Sequence, residues 1–250
     1  MIELTRRCNI VCDHCLRGQL QNLDVKNEYI TELLSNFTHI QNITLTGGEP
    51  SLNVKAIQHF ISEIKRQKIS LGHFYIATNA KIIKPEFLIA ITELYTLCDD
   101  KEYCRIDVSN DYYHALEGAA EAGSIGRETL EMFKFTETKY QEEGFSHRDS
   151  AVNEGYYAEN FGDGRELTPE LIEVEEDYIR GDGQFYMNAL GEIVSCCDLS
   201  YTSQKIKEEF HICNVFAADY TEEIKKYNRN CADFMDIELD EDEEEYSEAA

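Results

Sequence analysis

Cys8-Asn9-Ile10-Val11-Cys12-Asp13-His14-Cys15 places three thiols at C-x3-C-x2-C spacing near the start of the 250-residue chain, and Gly47-Gly48-Glu49-Pro50 follows a helix-length segment later. Three thiolates can hold three irons of a four-iron cluster and leave the fourth open to a ligand. A structural zinc site is the other reading of a tight cysteine group. Zinc asks for a fourth protein ligand, and His14 lies inside the loop, too close to its neighbours in sequence to be an obvious one. Gly-Gly-Glu-Pro alone is ordinary turn chemistry. The order and spacing of the two motifs together carry the argument.

Around these motifs the first half of the chain alternates between strand and helix patterns. Ile2 and Leu4 alternate with Glu3 and Thr5, and after the cysteine loop Ile30, Leu33, Leu34 and Phe37 recur at helical spacing. The pattern predicts strands over 42–46, 73–78 and 104–109. It predicts a helix over 54–67 with Val54, Ile57, Phe60, Ile61 and Ile64 on one face, and another opened by Pro85. Repeated β-α units imply parallel strands. Glu3/Thr5, Thr44/Thr46 and Arg105/Asp107/Ser109 form polar rows opposite the apolar rows Ile2/Leu4, Ile43/Leu45 and Cys104/Ile106/Val108. If the apolar rows face the helices, the polar rows line an interior suited to a polar cofactor and substrate.

The cysteine triplet and the GGEP tetrapeptide resemble those of the radical S-adenosylmethionine (radical SAM) superfamily. The resemblance implies an α/β fold: a partial (β/α)6 barrel over residues 1–180, with a small hairpin and helix extension over 181–235. It implies a 4Fe-4S cluster on Cys8, Cys12 and Cys15, whose open iron binds S-adenosylmethionine. Gly47, Gly48 and Glu49 would then receive the methionine amino group, and His14 would fill the aromatic slot near adenine. Thr78-Asn79-Ala80 and Ser109-Asn110-Asp111 resemble strand ends that hold the cofactor's ribose and methionine, so Asn79, Ser109 and Asp111 join the cofactor set. Ala80 stands where many members carry glycine. The same residue types also favour ordinary turns and caps.

The second half is less regular. Residues 126–139 read as a helix, 145–157 show no clean period, 171–178 suggest a strand, and 184–198 a hairpin ending in Cys196-Cys197. Gly191-x4-Cys196, Cys213 and Cys231 resemble a shortened SPASM or twitch extension, which holds auxiliary iron-sulfur clusters in peptide-modifying members. Cys196, Cys213 and Cys231 are the candidate ligands of such a second iron-sulfur cluster, beside the alternative of a remnant that binds no metal. Cys197, left over if Cys196 binds metal, is the candidate hydrogen-atom donor. Cys98 and Cys104 read as small buried hydrophobes.

The net charge of −26 speaks against nucleic-acid phosphates as partners. Asp236, Glu238 and the acidic run over 240–248 read as a disordered tail spanning 236–250. No apolar run approaches a membrane span, and nine cysteines without an export signal read as reduced thiols in the cytoplasm. The expectation is an enzyme that abstracts hydrogen from a peptide or protein side chain, supplied with electrons by a flavodoxin or ferredoxin. A small-metabolite substrate and a non-catalytic metal protein are the alternatives.

Overall fold

The structure is a computed structural model that describes residues 1–110, 127–140, 151–175, 178–181 and 184–235. Asp111 and the acidic tail lie outside the described residues. Five parallel strands follow in spatial order: β1 (Ile2–Glu3), β2 (His39–Thr46), β3 (Ser70–Thr78), β4 (Arg105–Asn110) and β5 (Thr136–Tyr140). Helices α1 (Asn27–Ser35), α2 (Val54–Gln67) and α3 (Pro85–Leu97) pack on one side. The expected helix 54–67 matches α2 residue for residue, because both its ends are chemically marked. Asn53 caps the start, accepting from Ala56 N–H at 3.4 Å, and Lys68 closes the end in the left-handed region at φ 59°.

The apolar and polar rows separate as expected. Ile2, Leu4, Ile43, Leu45, Cys104, Ile106 and Val108 all enter the apolar core shared with Ile57, Phe60, Phe87 and Ile91 of the helices. Each fully buried Ile, Leu or Phe contributes about 1.5–3 kcal/mol to holding helices on the sheet. Glu3, Thr5 and Asp107 lie on the other face, and all three are buried. Asp107 accepts from the Tyr75 hydroxyl at 2.7 Å and pairs with Arg105 at 2.5 Å.

Two stretches differ from the sequence reading. Residues 126–139 hold only a short helix, α4 (Arg127–Glu131), and then the strand β5. The switch follows from Phe135, which stacks on Tyr95 at 4.5 Å and meets Phe74 edge-on at 5.8 Å, while its carbonyl accepts from Ile106 N–H at 2.7 Å. Tertiary packing overrides local helix preference there. The single strand expected over 171–178 is a two-stranded ribbon of β6 (Glu173–Val174) and β7 (Ile179–Arg180).

The hairpin of β8 (Tyr186–Met187) and β9 (Glu192–Val194) forms as expected. It does not stand apart from the barrel: β8 pairs parallel with β1, through Ile2 opposite Met187, and β10 (His211–Asn214) follows β9. One eight-stranded sheet results, ordered β10-β9-β8-β1-β2-β3-β4-β5, with six parallel strands and an open edge at each end. The mostly parallel, unclosed α/β sheet agrees with the partial barrel expected. Two short helices, α5 (Gly155–Asn160) and α6 (Ser203–Ile206), precede the long closing helix α7 (Tyr220–Met235).

Candidate active site

The cysteine loop leaves β1 and turns back over the ends of β2 and β3. Arg7 anchors it, donating to both carboxylate oxygens of Asp24 at 2.8 and 2.9 Å and to the Leu52 carbonyl at 2.9 Å. The GGEP turn lies directly against its start: Gly48 N–H donates to the Thr5 carbonyl at 2.7 Å and Glu49 N–H to the Arg7 carbonyl at 2.8 Å. A Cβ on Gly47 would stand 2.4 Å from the Thr5 carbonyl oxygen, and one on Gly48 2.3 Å from that of Arg7. The fold therefore demands both glycines before any ligand does.

Glu49 is buried, and its carboxylate gathers three neighbours. Oε1 accepts from Ser51 N–H at 3.0 Å and from the Thr78 hydroxyl at 2.7 Å, and Oε2 accepts from Asn79 N–H at 2.8 Å. A carboxylate offers about four acceptor sites, so one remains for a cationic ligand group. Asn79 reaches in turn to the cysteine loop, its Nδ2 donating to Asn9 Oδ1 at 2.9 Å and approaching Cys8 Sγ at 3.7 Å. The Cys8 thiol is pushed up to about 11, first by burial and further by the charges of Glu49 and Cys15. Ala80 adopts φ 52°, so the turn after β3 keeps the left-handed geometry that glycine favours despite its side chain.

The opposite side of the loop is held by residues that the sequence did not single out. Tyr156 N–H donates to the Cys15 carbonyl at 2.9 Å, and Asn160 Nδ2 donates to the Asp13 carbonyl at 2.9 Å. Gly155, at φ 54°, lets this segment pass where a Cβ would stand 2.4 Å from the Leu16 carbonyl oxygen. Glu154 ties the segment to the C-terminal region through Ser200 N–H at 3.0 Å and Lys207 Nζ at 2.9 Å. Tyr201 N–H donates to the Arg17 carbonyl at 3.1 Å.

One cavity results. Its lining brings together Cys8, Cys12, Cys15 and His14 with Gly47, Gly48, Glu49, Asn79 and Ser109, and adds Arg17, Thr78, Tyr156 and Tyr201. Of the cofactor residues expected from the sequence, only Asp111 falls outside the described residues. Among the described residues no three His, Cys, Asp or Glu side chains are grouped closely enough for a single metal ion. A four-iron cube spreads its thiolates further apart than the ligands of one ion, so the shared lining of the three thiols fits a cluster.

The second cysteine set is not brought together in this way. Cys213 and Cys231 sit in the main apolar core, whereas Cys196 and Cys197 pack beside the smaller cluster of Tyr186, Val194, Leu199 and Phe210. Burial pushes the Cys213 and Cys197 thiols up to about 12. Cys197 is not part of the cavity lining. No sequence signal marked Tyr156 or Tyr201 for the site: each is one tyrosine among fifteen, in a stretch without clean periodicity.

Residues 3–107 match the family model of the 4Fe-4S single cluster domain. The resemblance to the radical SAM superfamily, drawn from the triplet and the GGEP turn, holds. A curated relative from Bacillus subtilis (strain 168), YydG, named as a peptide biosynthesis protein, is 38% identical over 69 residues. That match covers 26% of this chain and 22% of the relative, so the chain matches about a fifth of the relative's length. Among solved structures, BtrN in complex with AdoMet and 2-DOIA has a TM-score of 0.51 at 14% identity, covering 91% of this chain and 84% of that one. Native anSMEcpe with bound AdoMet and Cp18Cys peptide has a TM-score of 0.43 at 10% identity, covering 91% and 80%. The likeness to BtrN is one of fold. No helix among the described residues is long and apolar enough to cross a membrane.

Proposed function

We propose that this chain is a radical SAM enzyme acting on a peptide or protein side chain. The observation that carries the reading is the single cavity in which three loop thiols meet the buried Glu49 and the ends of β2, β3 and β4. Cys8, Cys12 and Cys15 would hold a 4Fe-4S cluster. Glu49, with its remaining acceptor site, would take the ammonium of S-adenosylmethionine, while Asn79 and Ser109 offer amide and hydroxyl groups to ribose and carboxylate oxygens. His14 supplies a flat ring at the cavity wall for adenine. When bound, the reduced cluster supplies cleavage of S-adenosylmethionine to a 5'-deoxyadenosyl radical that abstracts a substrate hydrogen.

The remaining work belongs to the chain itself. Asn79 orients the Cys8 sulfur, and Tyr156 and Asn160 hold the carbonyls of Cys15 and Asp13, which fixes the loop that carries the thiols. The peptide class is supported by the Bacillus relative, which is named as a peptide biosynthesis protein. Cys197, a half-buried thiol that partial burial pushes up to about 12, keeps the S–H form that a hydrogen donor needs.

Anaerobic reconstitution with iron and sulfide, followed by dithionite and S-adenosylmethionine, tests the class directly. The native chain should bind four irons and release 5'-deoxyadenosine, and Cys12→Ala should do neither. Retention of zinc without cleavage would instead mark the triplet as a structural metal site. Once a substrate is in hand, Cys197→Ala should lose deuterium uptake from solvent into product; unchanged uptake removes the donor role.

A further inference from the structure

Arg17 carries the one fixed positive charge among the described residues lining the cavity. Its Nη1 donates to the Leu199 carbonyl at 2.8 Å, and its guanidinium lies 5.2 Å from the centre of the Tyr186 ring. Among the described residues it makes no ion pair. The groups facing it are Tyr186, Glu3, Tyr201 and Cys197. Of these Glu3 is the acid, and its Oε2 is already shared by Arg6 Nε at 3.1 Å and Ala189 N–H at 2.7 Å. Arg6 and Glu3 form a buried ion pair, so the charge of Glu3 is shared, and the half-buried Arg17 has no ion-pair partner of its own among the described residues.

Beside it, Tyr201 is 1% exposed, lines the same cavity, and its hydroxyl has no hydrogen-bond partner among the described residues. The ring cannot easily turn away, because Arg6 stacks on it at 4.6 Å and its own N–H is bonded to the Arg17 carbonyl. A guanidinium with donors to spare and a buried hydroxyl without an acceptor together leave bonding capacity that a ligand can complete. A carboxylate does so in one step, accepting from the planar guanidinium fork and from the phenol.

We propose that Arg17 and Tyr201 form a subsite for a carboxylate of the substrate, such as an Asp or Glu side chain or a chain terminus of a peptide. The assignment to substrate rests on the functional reading above. It is favoured over the methionine carboxylate of the cofactor because Arg17 faces Tyr186, Tyr201 and Cys197 of the C-terminal segment. Glu49, Asn79 and Ser109, the groups proposed for the methionine and ribose of the cofactor, sit instead on the ends of β2, β3 and β4.

The test measures binding, not turnover. Saturation-transfer NMR on the full, reconstituted chain without reductant would titrate N-acetylglutamic acid α-amide against its uncharged isostere, N-acetylglutamine amide. The acidic probe should bind about tenfold tighter or better, and the preference should fall to near unity in Arg17→Gln. Tyr201→Phe should weaken the preference while keeping the backbone bond and the Arg6 stack. Equal binding of the two probes to the native chain, or a preference unchanged in Arg17→Gln, overturns the subsite. If Arg17→Gln shows no cooperative melting, Tyr201→Phe decides, and an unchanged preference there overturns it. Mutually exclusive binding of probe and S-adenosylmethionine overturns the substrate assignment in favour of the cofactor. Intact probe preference in a chain that never cleaves S-adenosylmethionine would sink the enzyme reading and leave the carboxylate subsite standing.

Discussion

Gly48 shows how tightly single residues constrain the cysteine loop. A methyl group there meets a backbone carbonyl, which cannot swing aside as a flexible side chain would. Gly48→Ala should cost about 1–3 kcal/mol in chemical unfolding, and iron retention should fall with it, because the displaced backbone carries Cys8. Asn79 acts differently, through its N–H contact to the Cys8 sulfur. Hydrogen bonds to cluster sulfurs stabilise the reduced, more negative state. Asn79→Ala should therefore shift a reconstituted cluster to a more negative midpoint potential in an EPR-monitored titration. A potential equal to that of the native chain would show that the contact is not made in the loaded protein.

Secondary-structure elements matter here mostly through their connections to the loop. The short helix α5 braces the cysteine loop, and Glu154 just before it ties that brace to Ser200 and Lys207. Burial pushes the Glu154 carboxyl upward, but bonds from Ser203, Lys207 and Ser200 outweigh it and hold the group below the usual carboxylate range. A depressed folded value means that the carboxylate stabilises the fold above its unfolded pKa, and that this contribution is lost as pH falls through the folded value. Amide exchange at Tyr156 and Tyr201 should accelerate on acidification below the normal Glu range. In Glu154→Gln it should be fast already at neutral pH and lose that dependence.

Taken over all its strands, the sheet couples the two ends of the chain. Met1 N donates to the Phe185 carbonyl at 2.7 Å, and β8 supplies the parallel neighbour of β1. Met187 is fully buried against Ile2 in the main core. Met187→Ala should cost about 2–5 kcal/mol, and urea unfolding should remain a single transition followed equally by probes in either half. Two separated transitions would show that the C-terminal hairpin folds apart from the barrel strands.

Much of this arrangement was legible in local patterns. Helix α2 declared itself through an apolar stripe, the two rows of each strand through alternation, and the cysteine loop through three cysteines whose neighbours are close in sequence. These features depend on contacts within about one turn or one strand, where spacing along the chain is spacing in space. The turn at Phe135 into β5 in place of a longer helix, β8 beside β1, and Tyr156 and Tyr201 at the cavity wall were not legible. Each depends on a partner far away in the chain, such as Tyr95 for Phe135 or Arg17 for Tyr201, and the burial that selects it exists only once the sheet has formed. Local chemistry thus defined the cysteine loop and the class of fold. Long-range packing chose which of many ordinary tyrosines and arginines would line the cavity.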